Sequence, residues 1–126
     1  GVDIENHMVK YLAERAKREK RGNVISVAGA PEDPRLPEKA DLILMVDVFH
    51  HIGDRARYFR KLQASLKPGA RVAIIDFRMD SPEGPPQAAR IAPDRVIAEL
   101  KGAGYALAKE HRFLPNQYFL VFQAQP

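Results

Sequence analysis

The hydrophobic positions along the chain alternate between a helical and a strand period. Residues 1–4 (GVDI) have the pattern of a strand end. Asn6 is placed to cap a helix, and Met8, Val9, Leu12, Ala13 and Ala16 follow at three- and four-residue spacing as one apolar stripe. Gly22 is placed to end that helix. Residues 23–28 (NVISVA) predict a short strand, and the proline-rich residues 29–39 a loop. Residues 41–48 (DLILMVDV) are almost continuously apolar. A run of that length is short for a helix and fits a strand buried on both faces.

After a polar break at Gly53 and Asp54, the positions Ala56, Phe59, Leu62, Gln63 and Leu66 predict a helix, which Lys67-Pro68-Gly69 would stop. Residues 71–77 predict a strand ending near Asp76. Residues 79–93 hold Pro82, Pro85, Pro86 and Pro93 without a clear period, so they predict a long loop of the kind that often forms a lid. Pro93 then suits the first turn of a helix whose apolar face is Val96, Ile97 and Leu100, closed by Gly102 and Gly104. Two strands, 105–113 and 118–123, would be joined by a hairpin turn at 114–117. This order predicts a single α/β domain over residues 1–126. Its sheet would be mainly parallel, with helices on both faces and a C-terminal antiparallel hairpin.

Composition narrows the function classes. The chain has 126 residues and is 45% hydrophobic, enough for a real core. It has no cysteine, which excludes disulfides, thiolate metal sites and a cysteine nucleophile. No apolar run reaches the roughly 20 residues of a membrane helix, and no signal-peptide pattern opens the chain, so the expected location is cytoplasmic. Lys and Arg number 20 against 16 Asp and Glu. Much of the excess lies in Lys10, Arg15, Lys17, Arg18, Lys20 and Arg21. That cluster reads either as a solvated helix face or as a patch for nucleic acid. No aromatic-interleaved RNA-binding motif accompanies it, so a nucleic-acid partner is not expected.

In an open α/β sheet, ligands bind beyond the carboxyl ends of the strands. Those ends carry Asp3, then Gly29-Ala30-Pro31, then Asp47 with His50 and His51, then Asp76. Asp3 suits either a ribose diol or the cap of the next helix. Adjacent histidines diverge and make a poor metal pair, so no metal site is expected. One of His50 and His51 reads as a base, or as a packing histidine with a satisfied hydrogen bond. No nucleophile elbow, P-loop or GxGxxG is present.

Taken together, GVDI, DLILMVDVFHHI, LKPGARVAIIDF and ELKGAGY resemble, in order and spacing, successive motifs of class I S-adenosylmethionine-dependent methyltransferases. The resemblance runs from residue 1 to about residue 123 and implies a Rossmann-like fold with S-adenosylmethionine as cofactor and a small-molecule methyl acceptor. By the same resemblance, Asp3 and Ile4 lie at the ribose hydroxyls. Gly29, Ala30 and Pro31 edge the adenine, and Val46 and Asp47 pass close to the methionine moiety. His51 falls near the substrate side and is the first candidate for a base, with Asp76 the second. The loop 79–93 and the hairpin near Asn116, Gln117 and Tyr118 are candidates to shape the acceptor pocket. Arg78 or Arg90 would then bind an acidic acceptor, with a surface role the leading expectation for both.

Two departures accompany the resemblance. The adenine segment VAGAPED lacks the acidic residue common at the position of Ala30, so backbone groups would contact the adenine. The family's first strand and glycine-rich loop would lie ahead of Gly1, which implies a domain truncated at its N-terminus. In the family that strand lies mid-sheet, so the strands ending in Asp3 and Asp47 would lose a shared neighbour. Unpaired buried backbone groups cost about 1–3 kcal/mol each. A complementing N-terminal segment, closure of the two edges, or strand exchange in a homodimer would then be required. The alternative reading is a non-catalytic fragment of this fold, or an interaction module that self-associates through its sheet edges.

Overall fold

The computed structural model describes residues 1–125, which fall into two compact units, Gly1–Glu38 and a second that begins at Lys39. In the first, β1 (Val2–Asp3) and β2 (Val27–Ala28) pair in parallel, with Asp3 opposite Ala28. Between them runs α1 (Asn6–Arg18). Its first turn hangs on the Glu5 carbonyl, which accepts from the amides of Met8 and Val9, so Glu5 rather than Asn6 is the capping residue. The helix also ends earlier than Gly22 would dictate. Lys20 adopts a left-handed backbone (φ +55°) and turns the chain out of the helix. No residue of α1 is fully buried; Met8 on its apolar stripe is exposed, as is Tyr11. Ser26 Oγ donates to the Val9 carbonyl at 2.6 Å and ties the return strand to the helix.

The second unit contains β3 (Ala40–Val46), α2 (Arg55–Leu62), β4 (Leu66–Phe77), α3 (Pro93–Gly102), β5 (Tyr105–His111) and β6 (Gln117–Ala124). Its sheet order is β3-β4-β6-β5. Only β3 and β4 are parallel, while β4–β6 and β5–β6 are antiparallel. The sheet is therefore mixed rather than mainly parallel. The cause is topological: a short connection makes β5 and β6 antiparallel, and it is β6, not β5, that inserts beside β4. β1 and β3 belong to different sheets.

β4 begins five residues earlier than the pattern suggests. α2 has already ended at Leu62, and a 3-10 turn, Gln63–Ser65, leads into Leu66, which pairs with Ala40. Lys67-Pro68-Gly69 therefore lies inside the strand's edge segment instead of stopping the helix, with Gly69 at φ +76°.

Alternation along β4 and β6 puts Val72, Ile74, Leu120 and Phe122 on one face, all fully buried. Phe59 and Leu62 of α2 and Val96 and Leu100 of α3 pack into the same cluster. Each such side chain contributes about 1.5–3 kcal/mol by leaving water. Within this unit α2 and α3 share one face of the sheet, so the expected helices on both faces are not shown here. Leu42, Leu44 and Val46 of the edge strand β3 point away from that cluster and are exposed. Three hydrogen bonds from two side chains fix the helical layer. Tyr105 Oη donates to the Phe59 carbonyl at 2.6 Å, and Arg55 grips Glu99 with Nε and Nη2 at 2.7 and 2.9 Å.

Candidate functional site

In the first unit, Asp3 is the last residue of β1 and half-buried. Its Oδ1 accepts from the Glu5 amide at 3.0 Å, just ahead of α1. A carboxylate has capacity for further donors beyond that bond. Ile4 beside it is exposed. Gly29 donates its amide to the Asp3 carbonyl at 2.9 Å. A Cβ there would lie 2.7 Å from Val2 Cγ1, so glycine is what lets the two strands approach. Ala30 is buried, and both its N–H and its C=O are engaged with Asp33 (2.7 and 3.1 Å). The backbone of Ala30 is therefore already committed, and the bridge brings an acidic residue, Asp33, next to it. Pro31 is exposed in the turn between them.

In the second unit, polar side chains collect where β3 and β4 end. Val46, the last residue of β3, is exposed. Asp47 follows in a left-handed backbone (φ +58°), an uncommon state for a residue other than glycine that aspartate tolerates better than most. Its amide donates to the Ile75 carbonyl at 2.8 Å, and its Oδ1 accepts from Gln117 Nε2 at 2.6 Å. This turn delivers the chain into a 3-10 turn, Phe49–His51.

The three residues of that turn have three different environments. Phe49 is fully buried, 5.5 Å from the Phe59 ring and under the Arg55 guanidinium. The His50 side chain is only 6% exposed, with Nδ1 at 2.8 and 3.0 Å from the two oxygens of Asp76. His51 is exposed, and its ring lies 4.1 Å from that of His50.

Asp76 itself is 3% exposed. Its oxygens take the His50 ring, the His50 amide (3.3 Å) and the Phe77 amide (2.8 Å). Alternation could have shown this orientation. Asp76 stands two and four residues after Ile74 and Val72, so it points toward the helix-covered face. Directly across the ladder is Tyr118, whose hydroxyl is buried and has no hydrogen-bond partner among the described residues. Burial, followed by the negative charge of Asp76, pushes the Tyr118 hydroxyl well above the ordinary tyrosine range, so it stays protonated.

The structure thus brings Asp47, His50, His51, Asp76, Gln117 and Tyr118 to one end of the second unit. Sequence reasoning missed His50 as the partner of Asp76, and it missed the bond from Gln117 to Asp47. Arg78 and Arg90 donate to backbone carbonyls. Arg78 holds Pro115, and Arg90 holds Arg78, Met79, Ser81, Glu83 and Pro85. No group of three or more His, Asp or Glu placed to hold a metal ion occurs among the described residues. No described helix is long and apolar enough to cross a membrane.

Comparison with known proteins gives three kinds of similarity. A family model described as a methyltransferase domain matches residues 1–72. Phosphoethanolamine N-methyltransferase 3 of Arabidopsis thaliana is 31% identical over 107 residues, which is 85% of this chain and 20% of that protein. The chain therefore spans about a fifth of the length of that curated relative. Among solved structures, a SAM-dependent methyltransferase from Aquifex aeolicus superposes with a TM-score of 0.86 at 22% identity, over 95% of this chain and 65% of that one. The glycopeptide N-methyltransferase MtfA, solved with S-adenosyl-L-methionine, superposes with a TM-score of 0.77 at 12% identity, over 98% of this chain and 70% of that one.

Proposed function

Since the chain belongs to the methyltransferase-domain family, class I and S-adenosylmethionine-dependent, we propose that it takes part in methyl transfer to a small-molecule acceptor. The cofactor supplies an electrophilic methyl group on a sulfonium; the protein's contribution is to hold an acceptor close and in line with it. The observation that carries the reading is the constellation after β3. A left-handed Asp47, held by Gln117, opens directly into a turn that presents His51.

Each unit by itself offers a residue whose chemistry supports the cofactor reading. Asp3 keeps acceptor capacity beyond its bond to Glu5 and suits the two hydroxyls of a ribose. Asp47 is an acceptor-only carboxylate suited to an ammonium group. By the family resemblance, Ile4, Gly29, Ala30 and Pro31 are further proposed cofactor contacts in the first unit, and Val46 in the second. The Ala30 backbone is engaged by Asp33, so backbone contact to the adenine at that residue is not available in this reading. In this reading His51, the exposed imidazole, takes the proton that the acceptor loses. Asp76 is buried and acts through its neighbours.

The relative's name supplies a first acceptor to try. Phosphoethanolamine presents an amine whose lone pair would form a C–N bond to the methyl carbon as the sulfonium C–S bond breaks, releasing S-adenosylhomocysteine and giving the amine's proton to His51. The test is calorimetric titration of the purified chain with S-adenosylhomocysteine, followed by a methyl-transfer assay on phosphoethanolamine. Micromolar binding supports the reading. No binding to the folded chain overturns it for this chain.

A second reading rests on a different observation. β3 is an edge strand whose Leu42, Leu44 and Val46 are exposed. Long apolar edges pair with other chains. In that reading the chain is a self-associating or complemented module, completed by a homodimer partner or an N-terminal segment. Sedimentation equilibrium separates the two: concentration-dependent oligomers without cofactor affinity favour the module.

A further inference from the structure

The turn Phe49–His51 is pinned on two of its three sides. In a 3-10 turn successive side chains project about 120° apart, so fixing two directions defines the third. Phe49 is locked in the core beneath Arg55 and against Phe59. His50 is clamped by Asp76 through both its ring and its amide. An ionised carboxylate only accepts, so Nδ1 of His50 carries the proton that faces Asp76. The clamp therefore fixes the His50 tautomer, its ring plane and the turn's backbone together. Against that fixed ring lies His51, tilted by 41° at 4.1 Å between centroids.

We propose that His50 is a positioning residue for methyl transfer: held by Asp76, it is the wall that keeps the exposed His51 imidazole in one orientation toward the acceptor. This rests on the reading of His51 as the proton acceptor. It assigns Asp76 an indirect part, with neither contact to the acceptor nor proton transfer from it. The arrangement has a physical logic. An exposed histidine on a three-residue turn would otherwise sample several rotamers. A buried charge, satisfied by three donors from two segments, holds its neighbour in place while the exposed ring stays accessible.

The experiment uses the full chain labelled with 15N-histidine. In the wild type, the His50 ring is expected as a slowly exchanging Nδ1–H tautomer, and His51 as a single side-chain rotamer by its Hα–Hβ couplings. His50→Asn keeps a donor near the Nδ1 position, so the fold survives while the wall is removed. His51 is then expected to average over rotamers. With phosphoethanolamine as acceptor, kcat should fall about 10- to 100-fold while KM for S-adenosylmethionine changes little. His50→Phe keeps a ring but not the donor that fixes it. It should lower the melting temperature and let His51 average over rotamers; a His51 still held in one rotamer would remove Asp76 from the proposal.

A His51 already averaged in the wild type, or unchanged in His50→Asn, overturns the proposal. Failure of the wild type to bind S-adenosylhomocysteine overturns the methyltransfer reading instead, and the histidine spectra still report on the clamp.

Discussion

Gln117 Nε2 donates to Asp47 Oδ1 at 2.6 Å across 70 residues of sequence, joining the first residue of β6 to the residue that follows β3. The bond braces a left-handed aspartate at the point where the chain leaves the sheet. Strained backbone of this kind persists where surrounding bonds over-determine it. Replacing Gln117 by Leu should cost about 1–2 kcal/mol, since a hydrogen bond to a charged group is lost at a partly exposed site. The expected readout is a melting temperature lower by about 3–8 °C. S-adenosylhomocysteine binding should weaken several-fold, because Asp47 is no longer held. A lower melting temperature with unchanged binding would remove Asp47 from the cofactor site.

Tyr118→Phe tests the unpartnered hydroxyl opposite Asp76. An unsatisfied buried hydroxyl costs about 1–3 kcal/mol, so deleting it should leave stability unchanged or raise it by up to about 2 kcal/mol. Denaturant unfolding measures this. A clear loss of stability would mean that the hydroxyl has a partner in solution. Unchanged stability with lost methyl transfer would make the hydroxyl a functional group.

The buried tyrosines also set the alkaline limit. Burial raises the hydroxyls of both Tyr105 and Tyr118 far above their ordinary value of 10.0. For each, the folded state holds its proton more tightly than the unfolded state does. The stabilisation is therefore complete below pH 10 and is lost as pH rises beyond it, because only the unfolded chain ionises. The slope is up to about 1.4 kcal/mol per pH unit for each tyrosine. Unfolding free energies measured between pH 8 and 11.5 should fall above pH 10, and less steeply in Tyr118→Phe. A slope unchanged by that substitution would contradict the assignment.

How much of this was legible in the chain depends on which force decides each element. The apolar periods of Phe59 and Leu62, and of Val96 and Leu100, located α2 and α3 because burial of those side chains is what makes the helices stable. The carboxyl-end carboxylates Asp3, Asp47 and Asp76 were legible because strand tips follow from strand positions. What failed was pairing. The hairpin expected from residues 105–113 and 118–123 is present, with strands at Tyr105–His111 and Gln117–Ala124, but nothing local says which member lies against β4, and placing the antiparallel β6 there leaves a single parallel pair. Lys67-Pro68-Gly69 carried a turn signal that pairing of Leu66 with Ala40 overrode. The His50–Asp76 and Gln117–Asp47 bonds link segments 26 and 70 residues apart, and only the folded register brings them into reach.

The clamp between Arg55 and Glu99 gives the opposite pH dependence. The guanidinium's hydrogen bonds, and then its charge opposing the cost of burial, hold the Glu99 carboxyl below the usual carboxylate range. A lowered folded value means the contribution is present above the unfolded value, near 4.3, and is lost as pH falls through the folded one. Glu99 is partly exposed, so solvent screening limits the effect to about 1 kcal/mol. Glu99→Gln should lower stability at pH 7 by about that amount. It should also flatten the stability profile between pH 5 and 2, as measured by urea unfolding. A variant that parallels the wild type through that window would place the acid sensitivity elsewhere.

Arg90 supplies the last test, in the proline-rich segment. Its guanidinium donates to five backbone carbonyls, those of Arg78, Met79, Ser81, Glu83 and Pro85, at 2.7 to 3.2 Å. No carboxylate is among these partners. The cation gathers a segment that lacks ladder bonds, and Gly84 (φ +102°) seals it by lying flat on the Phe77 ring, where a Cβ would come within 2.6 Å. Lysine has three donors on one nitrogen and cannot span that fan of carbonyls. Arg90→Lys should therefore open residues 79–88 without unfolding the sheet. Limited proteolysis should cleave the variant inside this segment at least about tenfold faster than the wild type, while the melting temperature drops by only about 3–6 °C. If the segment instead orders an acidic acceptor, Arg90→Lys would raise KM for phosphoethanolamine with proteolysis unchanged. That result would move Arg90 from the scaffold into the acceptor pocket.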